Sequence, residues 1–225
     1  MPNHTLKSFD ADIENVRSSL TTMGQLASQQ FRRAVLAFCH DQIEHVPLIE
    51  TDERTVNSLH LQVDELCQLA ITRHHPTAVD LRELVSALHS VHDLERIGDE
   101  AKKIGRCAIR IHALEIRETL PLASIETMAD QAHLVLERAL NAFMQHDAGL
   151  ASSVAAMDIE VNRYRDALVS RLKIQMSQNP NDIPILLGLI FVVQSIERVG
   201  DHAKSLAENV IHTIEGIDIR HRKPL

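Results

Sequence analysis

Tryptophan is absent from this 225-residue chain, tyrosine occurs once, and aromatic residues make up only 3% of it. Glycine and proline number seven each, while leucine, alanine, isoleucine, valine, glutamate, arginine and histidine are plentiful, which is the composition of an all-helical protein. Cysteine is scarce: Cys39, Cys67 and Cys107 are scattered, odd in number and without a Cys-x-x-Cys pair. That excludes a disulfide framework and a zinc knuckle, and reads as reduced, small apolar core residues in a cytoplasmic protein. Positive charge is in deficit, with a formal net charge of −8, so a general nucleic-acid binder is not expected. The basic run Arg220-His221-Arg222-Lys223 at the C-terminus reads as a solvated tail. The N-terminus lacks the apolar core of a signal peptide. The longest apolar run, Ile183 to Val193, falls short of the roughly 20 residues that span a bilayer and is expected to be a helix buried in protein. There is no Walker loop, dinucleotide fingerprint or nucleophile-base-orienter set.

What is present is helical periodicity, written twice. Leu6, Phe9, Ile13, Val16, Leu20, Met23, Leu26 or Ala27, Phe31, Ala34 and Phe38 recur at spacings of three and four and predict a first helix from about Thr5 to His40. Pro47 suits the first turn of a second helix, which Arg73-His74-His75-Pro76 ends. A third runs from about Thr77 to between Ile111 and Glu115. Glu118-Thr119-Leu120-Pro121 then marks the boundary between a first half, 1–117, and a second, 118–225. The second half repeats the plan: a helix over Leu122 to Gln145, a break at Asp147-Ala148-Gly149, a helix to about Ser177, a loop over 178–182, and a last helix with Pro184 in its first turn. Met23, Arg33, Ala34, Ala37 and Phe38 match Met128, Arg138, Ala139, Ala142 and Phe143 at an offset of 105. The expected fold is all-α, two tandem antiparallel three-helix bundles.

The sharpest repeat lies in the third helix of each half. Leu94-Glu95-Arg96-Ile97-Gly98-Asp99 recurs as Ile196-Glu197-Arg198-Val199-Gly200-Asp201, at an offset of 102. Glu95 and Asp99, like Glu197 and Asp201, stand four apart and so share one helix face, where like charges cost about 0.2 to 0.5 kcal/mol. Both pairs fall where the apolar stripe rotates away, on the flank of a bundle. Gly98 and Gly200, each costing a helix about 1 kcal/mol relative to alanine, imply close packing or room for a bound species.

The second helices offer Glu53 with Asn57 and Asp158 with Asn162, also four apart, with Asp52 and Glu160 nearby. If helices two and three run antiparallel, each acid-plus-Asn pair faces the repeated acids. Oxygen donors without cysteine form a hard site suited to iron, manganese or magnesium and, less characteristically, zinc. The plainer reading is a charged helix face neutralised by Arg96, Arg198, Lys102 and Lys204; its recurrence in both halves weighs against that. His89 and His92 have no counterpart in the second half, and His202 replaces Glu100, so the histidines are read as surface or core-edge residues rather than ligands.

These residues resemble the PhoU family of bacterial phosphate-signalling regulators: the duplicated Glu-Arg-Ile/Val-Gly-Asp motif, Pro-Thr-Ala-Val-Asp-Leu-Arg at 76–82, and the Val-Asn pairs Val56-Asn57 and Val161-Asn162. The resemblance covers essentially the whole chain. It implies two three-helix bundles and a peripheral cytoplasmic protein that represses phosphate-starvation signalling, in contact with a sensor histidine kinase and the ATPase subunit of the phosphate ABC transporter, and it leaves a homodimer open. It also implies multinuclear iron or zinc clusters at Glu95, Asp99, Glu197 and Asp201, with Glu53 and Asp158 from the second helices. Where the family motif ends in aspartate this chain has Asn57 and Asn162, and a neutral amide is a poorer ligand. Two other classes stand beside this one. A metal-independent adaptor would use the acids to bind a basic partner. An oxygen-activating di-iron enzyme would need Glu-x-x-His pairs, and no histidine here has a glutamate three residues before it.

Overall fold

Apolar residues spaced by three and four leave each helix with one buried stripe, and six such stripes meet in the computed structural model, which describes residues 7–112 and 119–217. The helices are α1 (Lys7–Cys39), α2 (Val46–His74), α3 (Ala78–His112), α4 (Leu122–Gln145), α5 (Ala148–Gln178) and α6 (Ile183–Glu215), with single 3-10 turns before α2 and α6. No strand occurs among the described residues, so the all-α expectation holds. Thr5, Glu115, Glu118 and the basic run at 220–223 lie outside the described residues.

Local chemistry accounts for the ends. Pro47 sits in the first turn of α2, and His75 closes that helix in the left-handed conformation at φ 46°, its N–H bonded to the carbonyl of Ile71. The break after α4 is shorter than expected. The Asp147 carboxylate accepts the Leu150 N–H at 2.9 Å, and this N-cap draws Ala148 and Gly149 into α5.

Within the first half, Asp12–His74 ties α1 to α2 at 3.0 Å and Glu53–Lys102 ties α2 to α3, so the three helices run up, down and up. Helices α4, α5 and α6 pack on one another in the same way. The two bundles do not simply follow one another; they lie side by side over a common core. Helix α3 runs antiparallel to α6, and α1 packs on α4, where the Ser28 hydroxyl donates to Glu137 at 2.6 Å. The Cys39 and Cys107 thiols reach the carbonyls of Leu122 and Gly188 across that junction, both at 3.8 Å. All three cysteines are free, and burial pushes the Cys67 thiol up to about 12.

The α3–α6 crossing explains a difference between the repeats. At the offset of 102, Asp93 corresponds to Ser195 and Glu100 to His202. The His202 ring meets Asp93 at 3.0 Å, and Glu100 meets Ser195 and Arg198 at the image position. The acid that became a histidine therefore faces an acid on the other bundle. Burial alone would push the Glu100 carboxyl up, but Lys103, Ser195 and Arg198 outweigh it and hold it below the ordinary carboxylate range.

One expectation is corrected. The apolar run from Ile183 to Val193 is not buried throughout: Leu186, Leu189, Val192 and Val193 enter the core, whereas Ile183, Leu187 and Phe191 face solvent. The helical stretch Pro180–Glu215 is long and apolar enough to cross a membrane, and in this fold it packs against α3, α4 and α5. It stands on the side of the molecule away from α2, which leaves one of its faces bare.

Candidate functional site

The repeated acids occupy equivalent places in the two bundles but different electrostatic settings. In the first bundle the side chains of Glu95 and Asp99 are 23% and 31% exposed, on the flank as the rotating stripe requires. Arg96 lies one residue on, about 100° round the helix from Glu95, yet its long side chain curls back, reaching Glu95 at 3.5 Å and Asp99 at 3.1 Å. Glu53 is taken by Lys102 from the facing helix. Glu53, Glu95 and Asp99 thus each have a cation within reach, Arg96 being shared by the last two.

Gly98 is a point of close packing. A methyl group there would stand 2.9 Å from Oε1 of Gln30, a fully buried α1 side chain whose amide N–H donates to the Ile49 carbonyl at 3.1 Å. The bound-species alternative for Gly98 is therefore filled by protein. Gln30 was missed in the sequence, although a polar residue on the core line between Ala27 and Ala34 was a visible signal.

The second bundle is less balanced. Asp158 on α5 is only 3% exposed, and a methyl group on Gly200 would stand 2.8 Å from its Oδ1. Here the glycine makes room for a carboxylate. Oδ1 has no hydrogen-bond partner, while Oδ2 accepts from Nδ2 of Asn162 at 3.3 Å. Burial, reinforced by Asp201 and by Glu197 and opposed by Lys204, pushes the Asp158 carboxyl up to about 6. Burial and Asp201 also raise Glu197, against Arg165 and Arg198. Arg165, another residue not singled out in the sequence, bonds Glu197 at 3.0 Å. Its counterpart at the offset of 105 is His60, which stacks edge-on against His92 at 4.7 Å instead. His89 and His92 are exposed and lie apart from the acids' polar contacts.

These observations test whether the residues suit a metal. Among the described residues no three His, Cys, Asp or Glu side chains converge closely enough to hold an ion as they lie. The second cluster nevertheless has the donor chemistry: a buried carboxylate oxygen without a partner, two further acids on the facing helix that act on it electrostatically, and an amide four residues on. The first does not fit in this arrangement, because Lys102 and Arg96 already occupy Glu53, Glu95 and Asp99, and Asn57 is exposed.

Known proteins agree with this architecture. The PhoU domain model matches residues 20–108 and 125–210, one segment in each half. A phosphate-specific transport system accessory protein PhoU homolog of Pseudomonas putida is 35% identical over 98% of this chain and 86% of that protein. The phosphate-specific transport system accessory protein PhoU of Escherichia coli K12 is 29% identical over 97% of this chain and 90% of its own. The crystal structure of PhoU from Pseudomonas aeruginosa superposes with a TM-score of 0.85 at 35% identity, covering 93% of this chain and all of that one. With two matched segments, one duplicated acidic motif in each and the same fold, the chain belongs to the PhoU domain family.

Proposed function

We propose that this protein is an accessory regulator of phosphate-specific transport that acts by binding. It represses phosphate-starvation signalling at the cytoplasmic face of the membrane, as an adaptor between the phosphate ABC transporter and its sensor histidine kinase. The observation that carries this reading is the match of nearly the whole chain, at 35% identity, to a protein named for that transport system. The absence of catalytic turnover is part of the proposal. The repeated residues are ligands and ion-pair partners, and no nucleophile with its base accompanies them.

Metal binding belongs to the second bundle in this reading. Asp158, Glu197 and Asp201 would hold the ion, with Asn162 as a weaker donor, and an oxygen set of this kind favours iron, manganese or magnesium over zinc. A bound cation would supply the charge that the buried Asp158 carboxylate lacks and join α5 to α6. Arg165 and Lys204 are then the residues that trim the remaining negative charge.

The test is genetic and analytical. Cells lacking the gene should express phosphate-starvation reporters in phosphate-replete medium and regain repression from a plasmid copy; a reporter indifferent to the deletion refutes the regulatory reading. Elemental analysis of tag-free protein prepared without chelator should show metal that Asp201→Asn removes. Metal-free protein that still restores repression would establish the metal-independent adaptor instead.

A further inference from the structure

The bare face of α6 and the neighbouring edge of α3 form a surface unlike the rest of this acidic molecule. Ile183, Leu187 and Phe191 follow one another at intervals of four, so they lie in one row along α6, spanning about 12 Å. They are 36%, 43% and 67% exposed. Beside them runs a shallow groove whose walls carry Lys103, Arg106 and Arg110 from α3 and Arg198 from α6. Lys103 and Arg198 share the buried Glu100, at 2.7 and 3.4 Å. Arg106 and Arg110 are exposed and make no ion pair among the described residues.

The pseudo-symmetric half keeps only part of this pattern, Leu81 and Arg96 matching Ile183 and Arg198. At the offset of 102, Lys103, Arg106 and Arg110 become Ser205, Glu208 and His212, and Phe191 has His89 as its mate. The basic, apolar surface therefore arose on one side only, in a chain whose net charge is −8. A solvated helix face needs neither the phenylalanine nor the row of arginines.

We propose that this face docks directly on a bilayer surface carrying anionic phospholipid headgroups, a contact independent of the acidic clusters and of any protein partner. Two features favour lipid over a peptide in the groove. Ile183 and Leu187 lie outside the groove and Phe191, which lines it, is still 67% exposed, so the row can enter the headgroup region instead of being covered as the anchor residues of a bound peptide would require. The cations flank that row, where they can neutralise lipid phosphates. Anionic lipid attracts such residues additively, and the attraction fades within a Debye length.

Co-sedimentation of the full-length protein with large vesicles tests this. Binding is expected to vesicles of phosphatidylglycerol and phosphatidylcholine, not to phosphatidylcholine alone, and to fall as salt rises. Arg106→Glu with Arg110→Glu should weaken it by at least about tenfold, given the attraction of each cation near an anionic surface. Phe191→Ser, an exposed position that the fold tolerates, should weaken it at unchanged net charge and unchanged melting temperature. Lys7→Glu with Arg73→Glu, at the opposite end of the first bundle where α1 begins and α2 ends, makes the same charge change and should retain most of the binding. Equal affinity for neutral vesicles, binding unaltered in the Arg106/Arg110 variant, or equal loss in the Lys7/Arg73 control would each overturn the assignment. Vesicle binding is scored without transporter or kinase, so its failure leaves the regulatory reading standing.

Discussion

Replacing Asp158 by asparagine should stabilise the metal-free protein at neutral pH, the opposite of what deleting a charged group with a partner would do. The carboxyl is raised from 3.8 to about 6, chiefly by burial and then by Asp201. A raised acid pKa means that the native state holds the proton longer than the unfolded chain does. Stability is therefore greatest below the unfolded value, declines as pH climbs through about 4 to about 6, and is flat above. At about 1.4 kcal/mol per pH unit the ionised carboxylate costs the fold about 3 kcal/mol at pH 7.5. Asparagine keeps the shape and still offers an oxygen to Nδ2 of Asn162, but carries no charge to desolvate. Wild type and Asp158→Asn should thus melt together near pH 3.5 if both remain folded. At pH 7.5 in chelator the variant should melt about 6 to 12 °C higher, since a chain of this size shifts by about 2 to 4 °C per kcal/mol. Calorimetry across that pH range measures both. A variant that is less stable in chelator at pH 7.5, or a gap that does not change with pH, would show that Asp158 is not an uncompensated buried charge.

Adding back the metal should reverse the order, raising the melting temperature of the wild type but not of Asp201→Asn, which loses a ligand on α6; equal metal-induced shifts in both proteins would remove Asp201 from the site. Lys102→Met leaves Glu53 without its cation and should cost about 1 to 2 kcal/mol by chemical denaturation, while opening the first cluster to metal-dependent stabilisation that the wild-type first bundle lacks. His202→Glu sets a second carboxylate against Asp93 at the α3–α6 junction and should destabilise by about 1 to 2 kcal/mol. A denaturation midpoint unmoved by that change would mean that the two bundles are not held together at this contact.

Much of this protein is legible in one dimension. Apolar spacing of three and four determined six helices, because a helix must bury one stripe whatever it packs against. Pro47 and Pro184 marked where helices start, because φ is a local matter, whereas the cap at Asp147 was read as part of a three-residue break although α5 begins at Ala148. The acids at 95, 99, 197 and 201 could be placed on common faces for the same reason, and the duplicated motif carried the family. Which cation meets which acid was decided only in three dimensions. Lys102 crosses to Glu53, Arg165 to Glu197 and Arg198 to Glu100 on the other bundle, and these choices depend on interhelical register, which no local periodicity encodes. The same holds for burial. Asp158 and Glu53 occupy equivalent positions, yet the Asp158 carboxylate is packed against Gly200 without its own cation while Gln30 of α1 fills the matching place at Gly98. Burial depends on which helices close over a face, and so the tertiary structure alone determined that the acids of one cluster are ion-paired while the buried Asp158 of the other is left in want of a positive charge.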